Sequence, residues 1–307
     1  MPLLRYDVSV NSDGKEKVIH KTNNLSAAAY KDDVAVYPIA WHWHEEFELL
    51  HLLEGSIQFL IGTSQIELHG GEAIFINSQM LHGAWNVKEQ SCPYRSIVFH
   101  PLLIGGNETS VFWRKYIRPI IIHTALPYMI LREDNGWQSS VIDWIEEAWR
   151  EMKSREEGYE FEVRRCLSNC VFKVYQNSDG YMTPPSEIQI RRQERTKTMI
   201  LYIEEHMAEE ITISDIAASA YISSTECMRC FKEILHTTPI QFLKQTRLRR
   251  AEKLLSSTDL KVEEIGLKCG FHEMSYFARS FRKEYGANPL SYRKGGAPAY
   301  VHRNQGE

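Results

Sequence analysis

The stretch Ile265-Gly266-Leu267-Lys268-Cys269-Gly270-Phe271-His272-Glu273-Met274-Ser275-Tyr276-Phe277-Ala278-Arg279-Ser280-Phe281-Arg282 decides the reading of the C-terminal part. It reads as a short helix, a tight turn at Gly270 and a longer helix, because a turn of this kind often needs positive φ. The same unit occurs upstream: Ile216-Ala217-x-x-Ala220-Tyr221-Ile222-Ser223 matches Ile265-Gly266-x-x-Cys269-Gly270-Phe271-His272 at an offset of 49. Beyond the turn the offset becomes 50, with Arg229, Phe231-Lys232, Pro239 and Phe242 matching Arg279, Phe281-Arg282, Pro289 and Tyr292.

Local signals place the helix ends. Thr212-x-x-Asp215 and Ser223-x-x-Glu226 have capping-box spacing. Pro239 and Pro289 suit the first turn of a new helix. The stretch from Pro239 to Leu255 then reads as a stiff helical connector of roughly 25 Å. Two helix-turn-helix units joined this way bring two second helices to successive major grooves about 34 Å apart. Each second helix carries an outward polar stripe: Ser224, Thr225, Met228, Arg229 and Lys232, then Glu273, Ser275, Tyr276, Arg279 and Arg282. Phe231, Leu235, Phe277 and Phe281 take the inner face. Arginine offers the bidentate fork that reads guanine. A helical repeat that binds protein is the alternative for the same pattern.

The N-terminal part is different. Phe47–Leu53, Ser56–Ile61, Gln65–Leu68, Ala73–Ile76 and Arg95–Phe99 read as short strands separated by Glu54-Gly55, Gly62-Thr63 and Gly70-Gly71. This spacing predicts an antiparallel barrel or jelly roll. Helical periodicity takes over at Val141-Ile142-x-x-Ile145 and again at Val163 to Val174. These apolar stripes need a surface, either the barrel or a partner subunit. The fold class is therefore α+β and multidomain: a sensor barrel over 1–105, a helical connector or dimerisation region over 106–178, a linker over 179–190, and an all-α double helix-turn-helix domain over 191–296.

Within the strands, His42, His44, Glu48 and His82 form a candidate ligand-binding set. On a regular strand, residues 42, 44 and 48 share a face, and a neighbouring strand adds His82. Three imidazoles and one carboxylate suit a divalent transition metal. A metal-free pocket for a polar ligand and a purely structural role are the alternatives. No cofactor beyond a possible divalent metal is implied.

Composition bounds the rest. A chain of 307 residues suggests two domains. Residues 191–307 carry 19 Lys+Arg against 15 Asp+Glu, and residues 1–190 carry 17 against 25. A basic half joined to an acidic half points to nucleic acid at one end. No run of about 18 apolar residues exists to span a membrane, and the N-terminus has no secretory pattern, so the expected location is cytoplasmic. Cys227-x-x-Cys230 has redox or zinc spacing, but it falls in a helical pattern where i and i+3 share a face. All six cysteines are expected to be packed thiols.

Residues 193–294 resemble the AraC/XylS-type DNA-binding domain, through Ile265-Gly266-x-x-Cys269-Gly270-Phe271 to Pro289-x-x-Tyr292-Arg293. The resemblance implies two recognition helices, with Thr225, Met228 and Arg229 facing bases from the first and Met274, Ser275, Tyr276 and Arg279 from the second. Lys232 and Arg282 extend those stripes. Tyr221 and His236 stand where the family usually has Gly, and Gly266 where it usually has Ala. His42-x-His44-x-x-x-Glu48-x-x-x-x-x-x-Gly55 and Gly71-x-x-x-x-x-Asn77-x-Gln79-x-x-His82-x-x-x-Asn86 resemble the two cupin motifs. Asn77 and Gln79 replace the usual Pro and Gly. Together these resemblances imply a ligand-responsive regulator, not an enzyme, that acts on double-stranded DNA as a homodimer with RNA polymerase. They imply activation of a carbohydrate-utilisation operon by a sugar effector. The alternative is a metal-dependent cupin enzyme or metal sensor with an appended helix-turn-helix domain.

Overall fold

The structure is a computed structural model that describes residues 25–294, apart from Thr63, Val87, Glu89, Thr124 and residues 181–184. The N-terminal stretch, part of the linker and the tail from Gly295 lie outside the described residues. The chain divides into two compact units, the first running to Glu187 and the second from Ile188.

The first unit contains β1 (Ala27–Asp33), β2 (Ile39–His42), β3 (Phe47–Leu52), β4 (Ser56–Ile61), β5 (Ser64–His69), β6 (Ala73–Ile76), β7 (His82–Asn86), β8 (Pro93–Phe99) and β9 (Tyr128–Leu131). All pair antiparallel, in two sheets of order β1-β8-β3-β6-β9 and β2-β7-β4-β5. The expected closed barrel is therefore two separate sheets. Among the described residues no ladder joins one sheet to the other. Strands of four to seven residues instead share an apolar interior of Leu50, Leu52, Phe59, Ile61, Ile74 and Ile76.

β3 is buried along its whole length. Side chains alternate along a strand, so Leu50 and Leu52 enter the inter-sheet core, while Phe47 and Leu49 enter a second core built with the helices. After β8 come α1 (Leu102–Gly105), a π-helical turn at Trp113–Ile117 and α2 (Arg118–Ile122). Then β9 adds to the edge of β6, a correction to the all-helical reading of 106–178. Four residues, Tyr-Met-Ile-Leu, carry no periodicity of their own, and only the open edge of β6 makes them a strand.

Two long helices follow, α3 (Gly136–Ser154) and α4 (Tyr159–Gln176). Their stripes, Val141, Ile145, Ala148 and Trp149 with Val163, Leu167 and Val171, pack on Phe47, Leu49, Phe75 and Phe99. The sheet of the same chain thus covers the surfaces for which a partner subunit was one candidate. Burial of each large side chain contributes about 1.5–3 kcal/mol relative to exposure.

A polar clasp fixes α3 to that sheet. Glu146 Oε1 lies 2.7 Å from His51 Nδ1 of β3, and Arg95 of β8 donates to Glu146 Oε2. The Arg95 guanidinium stacks 4.5 Å from the Trp149 ring, whose Nε1 donates to the Tyr30 carbonyl at 3.0 Å. Burial pushes the Glu146 carboxyl up, but His51 and Arg95 outweigh it and hold the group below its ordinary 4.5.

The second unit is all helix: α5 (Glu187–His206), α6 (Ile213–Ser219), α7 (Ser224–Leu235), α8 (Pro239–Ser257), α9 (Val262–Lys268), α10 (Met274–Tyr285) and α11 (Pro289–Arg293). α5 begins at Glu187, inside the stretch read as linker over 179–190. The six cysteines are buried free thiols. Burial pushes the Cys227 thiol up to about 12, the reverse of a reactive thiolate. Among the described residues no helix is long and apolar enough to cross a membrane.

The depressed Glu146 carboxyl contributes stability that is present above its ordinary value and is lost as pH falls through the lowered one. Glu146→Gln should therefore destabilise the protein at pH 7 and lose less stability than the wild type between pH 5 and 3. Urea melts across that range check this, and parallel pH profiles for the two proteins would contradict it.

Candidate functional site

His42, His44, Glu48 and His82 come together in the first unit, each no more than 2 % exposed. They do so differently from a single regular strand. β2 ends at His42, His44 lies in the connection, and Glu48 belongs to β3 of the other sheet. The chain crosses between the sheets at residues 43–46, so the four side chains converge from both. The β2–β7 ladder sets His42 opposite His82. The ring centroids of His42 and His82 are 4.1 Å apart, those of His44 and His82 5.2 Å, and those of His42 and His44 5.5 Å.

Backbone carbonyls orient all three rings. His42 Nδ1 lies 2.8 Å from Ala40 O, His44 Nδ1 3.1 Å from Glu46 O, and His82 Nδ1 2.7 Å from Met80 O. A carbonyl only accepts, so each Nδ1 carries a proton. Glu48 Oε2 lies 3.2 Å from His82 Nε2 and 3.5 Å from His44 Nε2. Its other oxygen accepts from Ser96 Oγ at 2.6 Å. Burial, and then the neighbouring His82 and His44 rings, hold the His42 pKa well below its ordinary value. Burial pushes the Glu48 carboxyl up, but His44 and His82 outweigh it and hold the group well below the usual carboxylate range.

The substituted motif positions have structural work. Asn77 donates to Ile120 O and Leu126 O at 2.8 and 2.9 Å. Gln79 takes a positive φ of 60°, where Gly is usual, and its N–H reaches His44 O at 2.7 Å. Ser78 Oγ donates to Glu45 O at 2.8 Å. The 77–80 turn thus holds the 44–46 connection and, through Met80 O, the His82 ring. Ser96 was not singled out from sequence. Its alternation with Ile97 marks only a face, and Glu48 is its partner only across the β3–β8 ladder.

In the second unit, α6 and α7 form one helix-turn-helix and α9 and α10 the other, joined by α8, whose 19 residues span about 28 Å. Thr212 and Asp215 form the capping box at α6. At α7 only half of one forms: Ser223 Oγ accepts from Glu226 N at 3.3 Å, but the Glu226 carboxylate pairs with Arg192 and Arg229 at 3.1 and 3.2 Å. Thr225, Met228, Arg229 and Lys232 are exposed along α7, and Ser275, Tyr276, Arg279 and Arg282 along α10. Met274 departs from that stripe. It is half-buried on the second helix-turn-helix core, with Sδ 2.9 Å from where a Cβ on Gly266 would lie. The methionine fills the space of the Ala that Gly266 replaces.

The turns keep one geometry with different residues. Tyr221 has φ 54° where its counterpart Gly270 has 77°, and His236 has φ 50° where Gly286 has 74°. Tyr221 is 97 % exposed and gains no packing for that conformation. A Cβ on Gly270 would lie 2.3 Å from Met207 O and 2.8 Å from Arg247 Nε, which itself donates to Met207 O at 2.6 Å.

Two units of this kind, one with a buried polar cluster and one with paired helix-turn-helix motifs, define a sensor joined to a DNA-binding module. Residues 27–133 match the AraC-like ligand binding domain, and residues 216–295 match a helix-turn-helix domain. The uncharacterised HTH-type transcriptional regulator YdeC of Bacillus subtilis (strain 168) is 29 % identical over 93 % of this chain and 97 % of its own. The melibiose operon regulatory protein of Escherichia coli (strain K12) is 22 % identical over 82 % and 83 %. The HTH-type transcriptional activator RhaS of Klebsiella pneumoniae (strain 342) is 32 % identical over 33 % and 36 %. The chain belongs to the AraC family of transcription regulators, with a ligand-binding domain and a helix-turn-helix DNA-binding domain.

Tyr221→Gly should raise stability by about 1 kcal/mol, because it relieves a left-handed conformation at no packing cost. Gly270→Ala should lower it by about 2 kcal/mol or more, since strain and a clash with backbone add. Denaturant melts of the two variants check both signs.

Proposed function

We propose that the protein is a ligand-responsive, sequence-specific activator of a carbohydrate-utilisation operon. The observation that carries the DNA reading is the pair of exposed stripes, Arg229 and Lys232 on α7 with Arg279 and Arg282 on α10, on helices joined by a connector of about 28 Å. Thr225, Met228, Ser275 and Tyr276 complete the surface offered to base edges. The sugar and activator readings draw on the melibiose regulator and RhaS among the relatives. His42, His44, Glu48 and His82 are the effector-binding groups in this reading, which makes the first unit a binding domain rather than an enzyme.

We also propose that it acts as a homodimer contacting RNA polymerase. Phe161, 80 % exposed on α4, and Phe172 on the same helix offer apolar surface for a second copy. Two-fold pairing suits an operator with two half-sites.

Arg279→Ala should weaken binding to the specific operator by about 1–3 kcal/mol and relax the preference at its base pair. Affinity should fall steeply between 50 and 200 mM salt as counterions are released. His44→Ala should keep operator affinity and lose the response to sugar. Fluorescence anisotropy with operator DNA, with and without a panel of sugars, measures all three. Salt-insensitive binding, or an Arg279→Ala footprint identical to wild type, would contradict the assignment.

A further inference from the structure

We propose, resting on the DNA reading of the second unit, that Arg247 is a positioning residue for recognition. It ties the entry of the first helix-turn-helix to the turn of the second, and so sets the operator spacing that α7 and α10 accept together. α6 and α7 pack on α8, and so do α9 and α10. A shared helix alone lets each motif pivot on its side-chain packing. Over the 19 residues of α8, about 28 Å, a pivot of roughly 10° displaces the far end by about 5 Å, more than the rise of about 3.4 Å per base pair. Reading a fixed spacing therefore needs a further tie between the motifs, beyond the packing on α8.

Arg247 supplies that tie. Its Nε donates to Met207 O and its Nη2 to Glu209 O, both at 2.6 Å. Both carbonyls belong to the segment between α5 and α6, where a cation also meets the negative end of the α5 dipole. Two acceptors on one planar fork fix direction as well as distance. Three residues after Glu209, Thr212 caps α6. The same Met207 carbonyl lies against the second turn: a Cβ on Gly270 would be 2.3 Å from it and 2.8 Å from Arg247 Nε. Phe271, next in the chain, packs on Phe277 of α10 with ring centroids 4.9 Å apart. One guanidinium thus joins the entry to α6, the connector and the turn that leads into α10. His272 Nε2 also approaches Glu210 Oε1 at 3.8 Å across this junction, but both side chains are exposed and the pair adds little. The junction accounts for the unequal turns as well, since it crowds Gly270 and leaves Tyr221 in solvent.

The test uses the full chain and duplex DNA that the wild type selects from a random-sequence library. Lost preference in Arg229→Ala and in Arg279→Ala assigns the two parts of the selected sequence to α7 and α10. Affinities are then measured for the selected duplex and for duplexes with one base pair inserted or deleted between the parts. Wild type should bind the shifted duplexes about tenfold or more weakly, roughly the loss of one bidentate base contact. Arg247→Met keeps an unbranched stem without a donor. It should bind the selected duplex more weakly than wild type, and its penalty for a shift should shrink to about threefold or less, because the helices are no longer held in one phase. Arg247→Lys keeps the charge but not the fork and should fall between the two. It also provides the comparison if Arg247→Met fails to fold. The spacer ratio is taken within one preparation, so a merely structural loss of active protein leaves it unchanged. Wild type that accepts every spacer equally, or a folded variant that keeps the wild-type ratio, overturns the role of Arg247 alone. Wild type that selects no two-part sequence overturns the paired-helix reading, and the role of Arg247 with it.

Discussion

A carboxylate on a strand covered on both sides has to be satisfied without water, and Glu48 is in that position. β3 is buried from end to end, between the inter-sheet core and the helices. An ionised group there is costly unless other groups compensate it. Ser96 takes one oxygen, and His44 and His82 face the other. Those rings are in turn fixed by carbonyls of the 40–46 and 77–82 segments. The need to compensate one buried charge therefore ties together both sheets, the crossing between β2 and β3, and the turn before β7.

The opposite face of the same strand meets a second polar demand. His51 reaches Glu146 on α3, and Arg95 joins them while stacking on Trp149. Apolar packing of α3 and α4 on the five-stranded sheet supplies most of the stabilisation, since that face is lined with Phe47, Leu49, Phe75 and Phe99. The clasp adds direction to that packing: an amphipathic helix can slide on an apolar sheet, but a carboxylate bonded to two strands fixes its register. β3 therefore carries the candidate site on one face and the anchor of α3 on the other.

The second unit shows a repeated structure tolerating unequal local strain. Both turns need a left-handed residue. The second provides Gly270, where a Cβ would collide with the Met207 carbonyl, and the first provides Tyr221, whose side chain projects into solvent. Glycine is obligatory where backbone approaches closely. Where the surroundings are open, a bulky residue is tolerated at the cost of backbone strain alone.

Much of this was legible in the sequence because it rests on short-range rules. Helical periodicity marks α3 and α4, capping residues and Pro239 mark the starts of α6, α7 and α8, and the 49- and 50-residue offsets identify the paired motifs. The candidate site's four residues were also legible as residue types at a given spacing. What only the tertiary structure decided depends on contacts between distant segments. β9 is a strand because the β6 edge was open, and the barrel is two sheets because the chain crosses between layers instead of extending one ladder. Met274 turns inward because Gly266 leaves it room. His42, His44 and Glu48 meet across two sheets, not along one strand, and Ser96 becomes the carboxylate's partner only through the β3–β8 register. Local sequence sets which face a side chain takes. Long-range pairing sets what that face meets, and the chemistry of the site resides in that second step.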